Sequence, residues 1–202
     1  MNTFRLFLAF LMISLTFGSC KNETETKETP SSAVTKDTSE ETKKTEEAQV
    51  QKKVANSLMA KLMVTPETKT FMSNAVSAGI TDILSKNEGP YTLVVPSNEA
   101  FEALPDLTKD QMANPQHKES LATILKNHIV EEDLTSAALL QSLRTNKVRT
   151  LKTMGGADLM VYLEGSDIVF KDSKGVIGKL GKSDILASNG KVHIIDAVLT
   201  TK

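Results

Sequence analysis

One stretch constrains the possible fold more than any other: Tyr91–Pro105, YTLVVPSNEAFEALP. Tyr91 to Val95 are β-branched, aromatic or aliphatic in turn, and they leave no polar face. Such a run fits a strand covered on both sides. Pro96 has no N–H to give to a ladder and ends it. Ser97 or Asn98 then caps a short helix, whose positive N-terminal end suits Glu99 and Glu102. Phe101 and Leu104, three apart, share a face, and Pro105 stops the helix. Nothing in the stretch is a nucleophile, a metal cluster or a phosphate loop. By its chemistry alone it is a core strand with a well-made exit. Val192–Leu199 is a second run that is apolar on both faces. The two are expected close together in one core, as central strands, although about 100 residues separate them. Phe101 then plugs one end of that core, and Ile194 sits within it.

Around these two runs the periodicity changes halfway along the chain. Leu58 and Leu62 mark a first short helix. Pro66-Glu67 opens a second, with Phe71, Ala75, Val76 and Ala78 at helical spacing up to Gly79. Ile80, Ile83 and Leu84 make another apolar patch before the turn cluster Asn87-Glu88-Gly89-Pro90. Thr108 can cap a brief helix ending near Asn114-Pro115. A longer one from about Gln116 buries Leu121, Ile124 and Leu125, with His128 at its end, and Leu134–Leu143 is a last helical patch. Thereafter the apolar runs shorten to strand length: Val148–Leu151, Leu159–Leu163, Ile168–Phe170, Val176–Leu180 and Ile185–Ala187, with glycines between them. Asn189-Gly190 reads as the two central residues of a type I′ hairpin turn, where both tolerate positive φ. Helices followed by strands make an α+β class.

Three stretches, in order, resemble the fasciclin-like domain family. Tyr91–Pro105 is similar to the family's first signature box. Leu125-Lys126-Asn127-His128-Ile129-Val130 resembles its central histidine motif, with Asn127 where an aromatic residue is common. Ser188–Leu199, SNGKVHIIDAVL, resembles the closing box. The resemblance covers residues 54–202. It implies a compact β-sandwich or β-barrel core with several short helices packed on one side. It marks Pro96, Asn98, Phe101, His128, Asn189, Gly190, His193 and Asp196 as motif positions. It also implies a non-enzymatic interaction or cell-adhesion module, with a cell-surface or matrix protein or polysaccharide as partner.

The N-terminus has a different composition. Arg5 precedes an apolar run from Leu6 to Phe17. As a helix those residues would span about 18 Å, short of the roughly 30 Å hydrocarbon core, so residues 1–19 read as a secretory leader. Phe17-Gly18-Ser19-Cys20 resembles the bacterial lipobox, with Phe17 where leucine is usual. Cys20 is the chain's one cysteine, and an unpaired exposed thiol is a liability after export, so lipid attachment at Cys20 is the expectation. The alternative is a secreted protein cleaved nearby with Cys20 free. Lys21, in place of a retaining aspartate, implies delivery to the outer membrane and leaves surface exposure open. Residues 20–53 then form a charged tether: from Lys21 on they hold 7 basic and 8 acidic residues, no aromatic, and only Val34 and Val50 as large aliphatics. Such a segment cannot bury enough apolar area to offset chain entropy. A charged helix over Glu40–Lys53 is the alternative reading.

Composition and spacing exclude several chemistries. One cysteine rules out an intramolecular disulfide and a cysteine-rich zinc site, and His117, His128 and His193 show no metal-ligand spacing. No cofactor is implied. Residues 54–202 carry 16 basic and 17 acidic side chains, so no overall field favours nucleic acid. His128 is a candidate ligand or acid/base group. The competing reading is a histidine that bonds the last carbonyls of its helix. His193 is expected on the opposite sheet face from its neighbours. Asp196, interrupting an apolar strand, needs hydrogen-bond donors if it is buried. Arg144, Lys147, Arg149 and Lys152 form a basic run in which Lys147 and Arg149 share one strand face. That run suits either an anionic polysaccharide or a charged sheet edge that discourages aggregation. The alternative function is a periplasmic small-molecule carrier or an enzyme; an apolar pocket between helices and sheet would favour the carrier.

Overall fold

The computed structural model describes Glu47, residues 49–86 and residues 88–199. The leader, Cys20 and the tether as far as residue 46 lie outside the described residues. Residues 49–55 are helical and exposed. No described helix is long and apolar enough to cross a membrane.

Ser57 opens the packed body. Its hydroxyl accepts from Ala60 N–H and caps α1 (Leu58–Val64), which buries Leu58 and Leu62. A 3-10 turn at Pro66–Thr68 leads into α2 (Lys69–Ala78). Gly79 ends α2 in the left-handed conformation that only glycine adopts without strain. Next come α3 (Thr81–Ser85), β1 (Tyr91–Pro96), α4 (Asn98–Glu102), α5 (Asp106–Ala113), α6 (Lys118–Lys126) and β2 (Ile129–Val130). The chain then forms α7 (Ser136–Asn146), β3 (Val148–Lys152), β4 (Asp158–Glu164), β5 (Asp167–Lys171), β6 (Ile177–Lys179), β7 (Ile185–Ala187) and β8 (Gly190–Ile195).

The strands form two four-stranded sheets. One has the order β2-β1-β8-β7, and the other is the meander β3-β4-β5-β6. The two apolar runs are the central neighbours of the first sheet. They pair in parallel from Tyr91↔Gly190 to Pro96↔Ile195. The sheets remain open and touch through two isolated bridges, Val130↔Thr153 and Leu180↔Ile195. The architecture is therefore a sandwich rather than a barrel.

The alternation along β1 explains why it needs no polar face. Leu93 and Val95 join one apolar cluster with Leu58, Leu62, Phe71, Leu84, Phe101, Leu125 and Val192, under the N-terminal helices. Val94 joins the other, with Leu139, Leu143, Leu151, Val161, Phe170 and Ile195, between the sheets. Burying each such side chain is worth roughly 1.5–3 kcal/mol. Ile194 is also buried.

Several expectations need correction. Several short helices pack in the first cluster, as expected, and α7 is added on the second, against β3 and β4, because its Leu139 and Leu143 face that way. β8 ends at Ile195, although Val198 and Leu199 beyond it stay buried. Val76 is exposed, since the cluster takes only Phe71, Met72, Ala75 and Ala78 from its helix. Thr108 lies inside α5, which Pro105 precedes and Asp106 begins. Asn189-Gly190 is not the centre of the last hairpin. Ala187 pairs with Gly190, so Ser188 and Asn189 are the loop residues, and neither of them has positive φ. Glycine is needed at 190 for space: a Cβ there would overlap the Tyr91 carbonyl oxygen and lie 2.9 Å from its carbonyl carbon.

Candidate functional site

His128 is fully buried just past the end of α6. Its Nδ1 lies 2.9 Å from the Ile124 carbonyl oxygen and its Nε2 accepts from Leu199 N–H at 3.0 Å. A carbonyl can only accept and an amide can only donate. The ring is therefore the neutral tautomer with its proton on Nδ1. Burial pushes its pKa down to about 4, against the opposing influences of the Ile124 carbonyl and Asp172. Phe71 meets the ring edge-on, with centroids 6.2 Å apart. The imidazole ties the end of α6 to the C-terminal segment. Asn127 beside it is also buried, and its Oδ1 accepts from the Thr153 hydroxyl at 3.0 Å. An aromatic residue in its place would leave that hydroxyl without this acceptor.

His193 sits between the sheets. Its Nε2–H donates to the Leu134 carbonyl at 2.8 Å, and its Nδ1 accepts from Asp184 N–H at 3.2 Å. Burial lowers its pKa as well. Asp184 and Ser136 stand beside it, a serine–aspartate–histidine set that sequence reasoning missed. The Ser136 hydroxyl and N–H both donate to the Asp184 carboxylate, and no bond joins the serine to the histidine. Burial opposes the charge on Asp184, but the two Ser136 bonds, together with His193 and the Ser183 hydroxyl, outweigh it and hold the carboxyl below its ordinary range. The serine hydroxyl thus meets the Asp184 carboxylate at the start of α7 and not the imidazole. Asp184 has φ of 58°, which no sequence pattern announced.

The remaining motif residues join elements together. Ser97, rather than Asn98, caps α4. Asn98 accepts from Thr70 N–H at 3.0 Å and donates to the Pro66 carbonyl at 2.9 Å, which pins α4 to the start of α2. Pro96 closes the β1–β8 pairing opposite Ile195, and Phe101 is buried below it. Asn189 is buried, accepting from Leu58 N–H at 2.8 Å and donating to the Leu84 carbonyl at 3.3 Å. Asp196 is exposed beyond the strand end and accepts from Lys179 N–H at 2.7 Å; the expected interruption of an apolar strand is absent because β8 has already ended.

The basic run is divided between a helix end and a strand. Arg144 lies in the last turn of α7, and Lys147 follows the helix with φ of 64°. Lys147 is therefore outside β3 and shares no strand face with Arg149. Arg149 pairs with Glu132 and Lys152 with Asp158. β3 is the outer strand of its sheet, so these charges line an edge. Among the described residues no group of three or more histidine, cysteine or acidic side chains could hold a metal.

A concavity of the described body lies elsewhere. A cleft of about 1030 Å³ opens at the end of the β1–β8 pair. Its walls come from α4, α5 and α6, the β5–β6 turn and the segment after β8. Leu104, Met112, Leu121, Ile124, Val176 and Val198 supply its apolar surface. Asp172 shapes the turn: it is buried, and its Oδ1 accepts from Lys174 N–H and Val176 N–H, both at 2.9 Å. That places Lys174 and Val176 in the cleft wall. The Asp-Ser-Lys-Gly run at 172–175 was the one legible sign of this turn. The other end of the pair is more nearly closed, with a smaller recess of about 230 Å³ lined by Glu88, Pro90, Leu186 and Gly190. There Tyr91 N–H donates to the Asn189 carbonyl, and the Ser188 N–H and hydroxyl donate to the Asn56 and Lys53 carbonyls. The chain enters its folded body at that end.

With this geometry the chain belongs to the fasciclin domain family, whose profile matches residues 66–201. Transforming growth factor-beta-induced protein ig-h3 from Sus scrofa is 30% identical over 146 residues, covering 72% of this chain and 20% of that protein. Protein sll1483 from Synechocystis is 29% identical over 159 residues, covering 75% of this chain and 79% of that protein. Human periostin is 27% identical over 133 residues, covering 66% of this chain and 14% of that protein. The chain thus spans about one fifth of ig-h3 and most of sll1483. A solved FAS1 domain pair from the insect cell adhesion molecule fasciclin I shares the fold, with a TM-score of 0.61 at 17% identity, over 71% of this chain and 50% of that one.

Proposed function

We propose that this protein is an exported, lipid-anchored envelope protein whose fasciclin domain is a non-enzymatic interaction module, held at the outer membrane by Cys20. The observation that carries the reading is polarity. The chain joins the folded body at the Gly190 end of the β1–β8 pair, and the open cleft lies at the Ile195 end. Six paired residues put roughly 20 Å between the two ends. Entry of the chain at one end of the pair and an open cleft at the other suit a module that meets partners away from its point of attachment. Buried, fully bonded histidines and a serine committed to a carboxylate support binding rather than turnover. A surface or matrix protein is the partner class that suits an adhesion-type module. A small-molecule carrier is the second reading, favoured by the volume of the cleft.

Intact-mass analysis of the protein from native membranes tests the anchor. The expected result is a mature chain starting at Cys20 with acyl mass, and loss of membrane partition in Cys20→Ser. A chain without lipid mass, or a Cys20→Ser protein that still partitions, would overturn it.

A further inference from the structure

We propose that the segment after β8 is an acid-released strap: neutral His128 holds residues 197–199 to the body, and a proton on its Nε2 frees them and takes away one wall of the cleft. The inference goes beyond the binding-module reading, because it holds whatever the cleft receives. Three observations carry it. The first is how the strap is fastened. Asp196 is tied to β6, its Oδ1 accepting from Lys179 N–H at 2.7 Å and its own N–H donating to the Lys179 carbonyl at 3.3 Å. Beyond it, the bond from Leu199 N–H to His128 Nε2 is the one hydrogen bond that residues 197–199 make among the described residues. The rest of the hold is apolar: Val198 is buried in the cluster under the helices and Leu199 in the one between the sheets. Ala197 and Val198 also form part of the cleft wall.

The second observation is the chemistry of the fastening. Nε2 accepts from an amide N–H, which has no lone pair to offer in return. A proton on Nε2 therefore sets two donors 3.0 Å apart, and the bond is lost. Nδ1 offers no way round, since its proton already goes to the Ile124 carbonyl. The third is the surroundings. α2 faces the ring with Phe71, α6 with the Ile124 carbonyl and the tail with the Leu199 amide, while β1 meets the histidine's own carbonyl with Val94 N–H; none of these groups titrates. Asp172 in the β5–β6 turn is the charged group that acts on the ring, and its carboxylate already accepts from Lys174 and Val176 N–H. A buried imidazolium is thus poorly compensated where it stands and reaches water once the strap swings away. His193 is wired alike, but its amide partner is Asp184, so a proton there loosens the β6–β7 loop and not the strap. The held ring takes its proton at about 4 and a released one near 6.5, so the released population grows on the order of a hundredfold between pH 7 and pH 4.

The test follows the exposure of Val198 in the full chain carrying Cys20→Ser, in which Val198→Cys supplies the one thiol. Its reaction with dithiodipyridine, a disulfide that thiols cleave in acid as well as in neutral solution, is timed from pH 7 to pH 4 and divided by the rate of glutathione at the same pH. Val94→Cys, in the buried centre of β1, reports opening of the whole fold in the same way. The thiol in place of Val198 should react faster than the one in place of Val94 at every pH, and its relative rate should rise on the order of a hundredfold toward pH 4. Adding His128→Gln, whose amide keeps a donor and an acceptor but takes no proton, should flatten that rise. Equal rates at the two positions would overturn the strap, because its residues would then leave only with the whole fold. A relative rate that does not rise in acid, or a rise that survives in folded His128→Gln, would overturn the part given to the histidine. Where the glutamine variant does not fold, the two thiols in the His128 background decide alone.

Discussion

At the Gly190 end of the β1–β8 pair, backbone meets backbone. Glycine is required there because Tyr91 leaves no room for a side chain, and the Asn189 amide joins α1 to the end of α3 from within the core. At the Ile195 end the same two strands stop short of closure, and helices, a turn and a tail surround open space. One strand pair thus has a consolidated end and an accessible one. Close approach at the first end gives stability. At the second, side chains are left without protein partners, which costs packing but makes them available to a ligand.

This contrast orders the expected effects of substitution. The largest belongs to the consolidated end. Gly190→Val should cost roughly 4 kcal/mol or more, because β1 and β8 would have to separate; a denaturation midpoint near that of the parent protein would break the contrast. Phe101→Ala, beneath the cleft, should cost about 3–5 kcal/mol through lost burial and a cavity. Ile194→Ala should fall in the range of roughly 2–5 kcal/mol by the same measurement.

Acid probes the tie between α6 and the tail. The unfolded chain protonates His128 as pH falls through about 6.5, whereas the folded chain resists until about 4. Over that window the unfolded state binds more protons, so stability is full above pH 6.5 and declines toward pH 4. The loss is on the order of 3 kcal/mol, and His193, also lowered, adds to it in the same direction. Urea midpoints measured from pH 7 to pH 4 should show the decline, and His128→Gln should flatten it. A flat profile in the parent protein would remove the buried neutral imidazole from the account. Asn189→Ala should cost about 1–3 kcal/mol, since a buried N–H and a buried carbonyl each lose a partner. At the open end, Lys174→Ala and Gln111→Ala should each stay within about 0.5 kcal/mol of the parent protein. A larger loss would mean that these side chains serve the fold rather than a ligand.

Much of the scaffold was legible because it rests on local rules. The unbroken run Tyr91–Val95, with no polar face, marked a strand with two buried faces, and helical spacing marked the elements around Leu58, Phe71 and Leu121. His128 at a helix end already suggested a bond to the last turn's carbonyls, which Ile124 accepts. The misreadings came where one local signal had two physical causes. Asn189-Gly190 suggested positive φ when the need was for space, and Asp196 suggested a strand residue when the strand had already ended. Lys147 looked like part of the strand because nothing in its neighbours betrays its positive φ.

The amino-acid sequence by itself determined the α+β class, the two central strands and the cluster-facing side of most helices, because period and capping act within a few residues. Tertiary structure decided that β1 and β8 run in parallel, that α7 crosses to the other cluster, and that Ser136, Asp184 and His193 share one hydrogen-bonded set. It also decided that residues from α4 to the tail after β8 enclose a cleft. Those outcomes depend on contacts between residues distant along the chain. Such contacts are chosen by shape and by the need to pair every buried polar group, and neither requirement leaves a periodic trace in a single sequence.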